Sequence, residues 1–499
     1  MGESVRERTY GNWRQPRSAG LWNLGLLGTA MLMAGIIVVI VTVATVGLVP
    51  AVGELVLLAL GLTSLMVRDR HGRTGIELVG VRVGWWRARS RGTHLYRSGP
   101  LGRTPWGTCQ LPGLLAQSRL SEAQDSWGRP FALIELPSMG HFSVVLATEP
   151  EGASLVDQEQ IDIWVARWGD WLAALGDEPG LIAAAVTVET APDTGRRLRQ
   201  VVEAKLDPNA PPLAQSVLRE VVESAPAGSA SIRVWIALVF MAATRGRRRD
   251  GDEFARDLAA RLPGLTQRLQ GTGAGGARPM TAQELCEVVR GAYDPAAART
   301  IEEAHAQGAT PTLRWSDVGP AGAEASWGAY RHDGATSVSW MMSAAPRGEV
   351  HSSILWKLLA PHREVGRKRV TLVYRVLDPG VAARIVEADK RNADFRVHSA
   401  TRPSEHSLRE QRAALATAQE EARGAGLVDF GVIVTATVEH AAVDQLAAAE
   451  ATVENLAATA RINLRRVYGS QDSAFAAGLP LGLVLARHLK VPQEIRSAL

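Results

Sequence analysis

The stretch SAGLWNLGLLGTAMLMAGIIVVIVTVATVGLVPAVGELVLLALGLTSLMV, residues 18–67, holds a single charged side chain, Glu54. At ~1.5 Å rise per residue, roughly 20 residues cross a bilayer, so the run is too long for one span and suits two. Gly47, Pro50 and Gly53 sit near its middle, where a break between helices is expected. The pattern predicts a transmembrane helical hairpin, with spans near 24–46 and 51–67. A cleaved signal peptide would carry a much shorter apolar core followed by a small-residue cleavage site.

Arginines crowd both ends of the run: Arg6, Arg8, Arg14 and Arg17 before it, and Arg68, Arg70, Arg73, Arg82, Arg87, Arg89 and Arg91 after it. The turn carries none. Because Lys and Arg stay on the cytoplasmic face, both termini and the bulk of the chain are expected inside a bacterial cell membrane. Trp13 and Trp22 before the first span, and Trp85 and Trp86 after the second, are candidate headgroup-level residues, together with Arg68 and Arg70.

The 499 residues leave room for two or three cored domains beyond this flank. Residues 1–91 carry 11 arginines against five acids, a balance of +6, so the remainder stands near −2 within a total of +4. The basicity thus belongs to the membrane flank, where it can meet anionic lipid, and direct nucleic-acid binding is disfavoured. Cys109 and Cys286 are the only cysteines, too few for a disulfide framework or a zinc site.

Past the hairpin, short apolar strands alternate with amphipathic helices. Residues 92–128 are rich in Gly, Pro and Ser and read as a linker. Strands are expected at 131–136, 142–147, 181–189 and 231–244, with helices at 157–175, 194–206, 211–224 and 251–270. Thr281-Ala-Gln-Glu284 is a capping box that opens a helix through Gly291. Strands at 337–342, 370–376 and 428–438 follow, with helices at 352–359, 380–390, 404–424 and 443–467. The expected class is α+β: a basic cytoplasmic N-terminus (1–20), the hairpin (21–67), a basic juxtamembrane segment and linker (68–128), then two sandwich domains with mostly antiparallel sheets (129–270 and 281–499). Helices are expected on one side of each sheet. The similar rhythm of the two domains hints at an internal duplication.

Enzyme signals are sparse. Gly271-Thr-Gly-Ala-Gly-Gly276 matches G-x-G-x-x-G formally, but a helix precedes it where a dinucleotide site needs a strand. There is no P-loop motif. His351-Ser352-Ser353 and His406-Ser407 put hydroxyls beside imidazoles without a nucleophile elbow, and the histidines show no metal-ligand spacing. No catalytic, cofactor-binding or metal residue is therefore expected. Arg245, Arg247, Arg248 and Arg249 form the densest basic run of the globular part and read as a solvated loop, or else as a contact for a partner or lipid.

Several strings resemble an actinobacterial membrane-protein family: Thr9-Tyr-Gly-Asn-Trp13, Arg68-Asp-Arg-His-Gly72, Leu95-Tyr-Arg-Ser-Gly-Pro-Leu-Gly-Arg103 and Glu189-Thr-Ala-Pro-Asp-Thr-Gly195. Its members are described as EccE-like components of type VII (ESX) secretion or as conjugation-apparatus proteins. The hairpin is similar to the PrgI/VirB3 membrane subunit of type IV secretion, and the following region to the N-terminal part of VirB4-type ATPases. Gln471-Asp-Ser-Ala-Phe-Ala-Ala-Gly-Leu-Pro-Leu-Gly482 resembles the segment preceding the VirB4 motor, with Leu481 interrupting its Pro-Gly step. The resemblance implies a non-catalytic, membrane-anchored adaptor of a secretion or DNA-transfer complex. Such an adaptor would sit in an oligomer and dock a partner ATPase or channel subunit. A DNA-binding conjugation factor and a membrane-bound enzyme are the rival readings.

Overall fold

The computed structural model describes residues 8–11, 13, 25–66, 69, 72–102, 108–152, 156–192, 202, 204–207, 209–224, 230–244, 247–248, 250–346, 348–399 and 402–488. A two-residue strand, β1 (Thr9–Tyr10), precedes helices α1 (Gly25–Thr45), α2 (Leu48–Met66) and α3 (Gly75–Ser90). Gly47, at φ +116°, makes the turn between α1 and α2. Pro50 lies in the first turn of α2, where its missing N–H costs no helical bond. The two helices pack together. At Gly35 a Cβ would stand 2.4 Å from Leu58 Cδ1, and Thr42 Oγ1 donates to Glu54 Oε1 at 3.1 Å.

The expected transmembrane hairpin needs correction here. Among the described residues, no helix is long and apolar enough to cross a membrane. The hairpin is present as a pair of apolar helices, and the spanning assignment is withdrawn.

The α+β class with antiparallel pairing holds for the rest. Seventeen strands are described. After β1 come β2 (Leu95–Arg97), β3 (Arg119–Gln124), β4 (Pro130–Leu136), β5 (His141–Glu149), β6 (Leu181–Pro192), β7 (Ala230–Met241), the ribbon β8 (Ala243–Thr244) and β9 (Arg247–Arg248), and β10 (Gly276–Pro279). The second half supplies β11 (Gly322–Ala325), β12 (Tyr330–His332), β13 (Ala335–Ala344), β14 (Val350–His351), β15 (Arg367–Val376), β16 (Val428–Glu439) and β17 (Asn463–Arg466). Thirteen of these form one sheet in the order β2-β11-β12-β13-β16-β15-β6-β7-β5-β4-β3, with β10 on β5 and β17 on β13.

That order contains the same path twice. Read inward, β3-β4-β5-β7-β6 is matched by β11-β12-β13-β16-β15, with β2 added outside β11 at that edge. Two of the matched pairs also agree in length: β7 and β16 have 12 residues each, β10 and β17 four each. Even the bond after the last strand repeats, with Met280 N donating to Val145 O at 2.9 Å and Val467 N to Ser339 O at 3.0 Å. The halves meet in the antiparallel pair β6–β15, where Thr187 faces Thr371. An approximate twofold axis passes through that residue pair, whose hydroxyls are 3.1 Å apart and buried. The internal duplication suggested by the sequence rhythm is thus visible in the topology.

Helices α4 (Gln158–Ala174), α5 (Pro212–Ser224), α6 (Gly251–Gln267), α7 (Ala282–Tyr293) and α8 (Pro295–Ala306) belong to the first half. The second half adds α9 (Pro379–His398), α10 (Glu405–Ala422), α11 (Leu446–Thr459) and α12 (Gln471–Ala477). Both faces of the sheet are covered, not one. Along β4, Ala132 and Ile134 pack with Leu285 and Val289 of α7, while Phe131 and Leu133 join Trp171 of α4 and Phe254 of α6. This is the two-residue alternation of a strand with two apolar faces. In the second half α11 covers Val338, Val434 and Ala436.

Two further expectations change. The single helix read over 443–467 ends at Thr459; Arg461 turns the chain at φ +53°, and 463–466 becomes strand β17. The supposed linker 92–128 supplies β2 and β3, the sheet's two edge strands. The helix expected at 194–206 falls largely outside the described residues.

Candidate functional site

The N-terminal flank is tied to the sheet unit. Strand β1 pairs with β14, Thr9 Oγ1 donates to Glu349 at 2.7 Å, and the Trp13 ring meets Phe430 edge-on at 5.2 Å. Trp13 is therefore a packing residue as well as a half-exposed one. Beyond the hairpin, α3 opens with a capping box. Thr74 Oγ1 accepts from Glu77 N, and Glu77 Oε2 accepts from Thr74 N, each at 3.3 Å. Trp85 packs edge-on against Trp327 at 5.1 Å, Arg82 stacks over Trp327 at 4.7 Å, and Gly469 lets both indoles close up. Trp86, one residue on, is 67% exposed. Trp85 and Trp86 thus have opposite roles, one inward and one outward. Trp22, Arg68, Arg70, Arg245 and Arg249 lie outside the described residues. Of Arg247 and Arg248 the structure gives the backbone only, in the β8–β9 ribbon.

On the face covered by α7 and α12, the second half carries a buried polar layer. His332 Nδ1 bonds Tyr293 O at 2.5 Å, and its Nε2 bonds Ser337 Oγ at 2.7 Å. Ser337 Oγ continues to Thr437 Oγ1 at 2.7 Å, and Ser339 Oγ meets Thr435 Oγ1 at 2.9 Å. Gln471 clamps the backbone of Ser339, accepting from its N at 2.8 Å and donating to its O at 3.1 Å. Thr371 Oγ1 donates to Gly478 O at 3.1 Å. Because Nδ1 faces a carbonyl it carries the proton, which leaves Nε2 to accept from Ser337. This is the geometry of a base beside a hydroxyl, but both residues are fully buried. Burial pushes His332 down to about 3, so the ring is neutral. Ser337 is already engaged by Thr437. The pair closes a hydrogen-bond network between strands and leaves no room at the hydroxyl for a substrate.

Arg369 is the outlier in this layer. It is 2% exposed, lies over the Phe475 ring at 4.7 Å, and has Glu189 Oε2 at 3.8 Å. Its Nη1 and Nη2 have no hydrogen-bond partner among the described residues. Glu189 Oε1 instead accepts from Arg367 Nη1 at 3.0 Å. Burial pushes the Arg369 guanidinium down to about 10. On the opposite face Lys368 Nζ donates to Ala360 O at 2.7 Å, and burial lowers it to about 8.

Two open clefts flank the sheet. One of about 380 Å³ lies beside β2, β11 and β12, with Tyr96, Arg331, Asp333 and His440 in its wall. Asp333, in the left-handed region at φ +41°, organises the turn below it: Oδ1 accepts from Ala321 N at 2.7 Å and Oδ2 from Arg290 at 3.1 Å. The other, of about 430 Å³, lies between Gly176–Leu181 and Val376–Gly380 and presents Asp177, Glu178 and Asp378. Neither brings a nucleophile to a base. Among the described residues no group of His, Cys, Asp or Glu could hold a metal ion. Burial pushes the Cys286 thiol up to about 12, which keeps it inert. The glycine-rich run is a turn: a Cβ at Gly275 would stand 1.7 Å from Glu149 O, and one at Gly273 3.1 Å from the Trp164 ring. His351 lies in β14 at the surface, and Ser407 donates to Ser404 O at 2.7 Å, away from His406's contact with Glu410.

A protein-family model described as a domain of unknown function (DUF8461) matches residues 17–77, which take in the apolar hairpin and the capped first turn of α3. No curated protein matches the chain.

What sequence reasoning missed is α3 itself. Its inward positions Val81, Trp85 and Ala88 are spaced four and three apart, a helical signal obscured by the arginines between them.

Proposed function

We propose that the chain is a non-catalytic, membrane-associated scaffold whose sheet unit is held at a lipid surface by the apolar hairpin. The observation that carries this reading is the outward face of α1 and α2. Ile37 and Ile40 of α1, Val49, Leu57 and Leu60 of α2, and Val46 in the turn between them are all more than 60% exposed. A contiguous apolar surface of this kind is not left facing water, and its natural cover is lipid or another apolar helix. The non-catalytic part of the reading is supported by the buried layer, where hydroxyls and the neutral imidazole are bonded to one another.

The resemblance to EccE-like and VirB4-related proteins extends the proposal to an adaptor in a bacterial secretion or DNA-transfer complex, docking a partner ATPase or channel subunit. The test is fractionation of the native host followed by crosslinking. The expected result is recovery in the membrane fraction, resistance to carbonate extraction and crosslinks to a secretion or conjugation ATPase. Recovery in the soluble fraction at high yield refutes the membrane part. Membrane recovery without any such partner refutes the adaptor part.

A further inference from the structure

Helix α3 has two apolar stripes on opposite sides. At 100° per residue, the half-buried Val81, Trp85 and Ala88 share one side, on which Val81 and Trp85 meet Gly469 and Trp85 meets Trp327. Val79, Val83 and Trp86 share the other, and they are 62%, 51% and 67% exposed. Arginines border the exposed stripe: Arg82 and Arg89 on one flank, Arg87 on the other, with Arg91 at the C-cap. The helix's one acid, Glu77, is committed to the capping box. Helix α3 also contacts α2, the second helix of the apolar hairpin.

We infer that the outward face of α3 is an anionic-lipid contact: Val79, Val83 and Trp86 dip into the headgroup boundary while Arg87, Arg91 and their neighbours meet lipid phosphate and carboxylate. The inference rests on the membrane reading above and adds a headgroup preference to it. A helix with an apolar stripe, an exposed indole and flanking arginines suits the interface, because the guanidinium stems lie along the apolar boundary with their charges in the headgroups. The inward stripe fixes the helix to the sheet unit, so lipid contact would set how that unit stands on the surface.

The test is binding of the full chain to vesicles of phosphatidylcholine alone and of phosphatidylcholine with phosphatidylserine. Expected is tighter binding to the serine lipid, weakened by salt, with a preference of about fivefold for each arginine engaged. Arg87→Gln combined with Arg91→Gln should cut that preference about 25-fold while leaving binding to the neutral vesicles unchanged. Trp86→Ser should weaken binding to both vesicles. These side chains are exposed, so the urea midpoint should not move, and that measurement separates lost contact from lost folding. Equal binding to both vesicles, unaffected by the arginine changes, overturns the inference and leaves the membrane reading standing. Binding to neither overturns both.

Discussion

Replacing Arg369 with methionine tests whether the buried guanidinium is tolerated or required. Burial lowers its pKa from 12.5 to about 10, which corresponds to roughly 3 kcal/mol against the charged form. That figure is what remains after the Glu189 carboxylate has partly offset the cost of burial. The Glu189 carboxylate stands 3.8 Å from Nη1, beyond a hydrogen bond, and the ring of Phe475 lies 4.7 Å below the guanidinium carbon. The first is a long ion pair and the second is worth roughly 1–2 kcal/mol when desolvated. Arg369→Met keeps the aliphatic stem against Phe475 and removes the charge, while Glu189 keeps its 3.0 Å bond from Arg367. The variant should therefore be neutral or more stable by about 1–2 kcal/mol, as replacement of poorly paired buried ions often is. Glu189→Gln is the converse: it leaves two guanidinium groups with a neutral partner and should cost about 3–5 kcal/mol. Urea unfolding followed by circular dichroism measures both, with the m value as a check on two-state behaviour. A loss above about 2 kcal/mol in Arg369→Met would refute the argument, because the guanidinium would then be making an interaction stronger than a stack and a distant carboxylate.

His332 and His141 are held neutral, at about 3 and about 4 against 6.5, by burial first of all. The unfolded chain binds more protons in that window, so their contribution is complete above pH 6.5 and is lost as pH falls toward 4 and 3. Each adds about 1.4 kcal/mol per pH unit to the slope, and His332→Gln should reduce the slope of stability against pH by close to one proton. Gly275→Ala should destabilise by more than about 2 kcal/mol, because its Cβ would meet Glu149 O at 1.7 Å and its φ is +69°. Gly276→Ala, with open space around it, is the matched control and should cost under about 1 kcal/mol. Gly469→Ala would push its methyl to 2.9 Å from Trp327 and 3.3 Å from Trp85; limited trypsin digestion should then cut after Arg87 or Arg89 faster than in the parent. An unchanged cleavage pattern would mean that α3 is not held through this contact.

Much of the strand plan was legible because apolar runs such as 131–136, 181–189 and 428–438 are bounded by turn residues, and most elements fall within a few residues of expectation. The apolar hairpin was legible from composition alone: helices at Gly25–Thr45 and Leu48–Met66 fall close to the expected 24–46 and 51–67. The error at 443–467 has a local cause. Leu464 and Val467 continue the helical spacing of Leu456 and Ala460, and nothing in that periodicity announces a left-handed turn at Arg461. Strand β17 forms because β13 offers an open edge, a long-range fact. For the same reason 92–128 looked like a linker: β2 and β3 are short and polar, as edge strands tend to be, and their partners lie elsewhere in the chain. The buried Ser, Thr and His layer was illegible because no spacing rule marks a hydroxyl as core.

That layer also shows how the two halves diverged within one topology. The cross-strand pair Val145–Ala237 in the first half occupies the place of Ser339–Thr435 in the second, and Ser143–Val239 that of Ser337–Thr437. Where the first half closes this face with hydrocarbon from α7, the second closes it with hydrogen bonds to Gln471 and His332. Apolar contacts tolerate a shifted register, whereas a hydroxyl ladder loses its bonds when strands slip by one residue, and each orphaned group then costs about 1–3 kcal/mol. The half that bears Trp327 and Gly469, and so receives α3 from the hairpin, is thus the half whose register is fixed by polar pairs. If α3 faces lipid as proposed, a fixed angle of that helix needs rigidity on this side of the pseudo-twofold more than on the other.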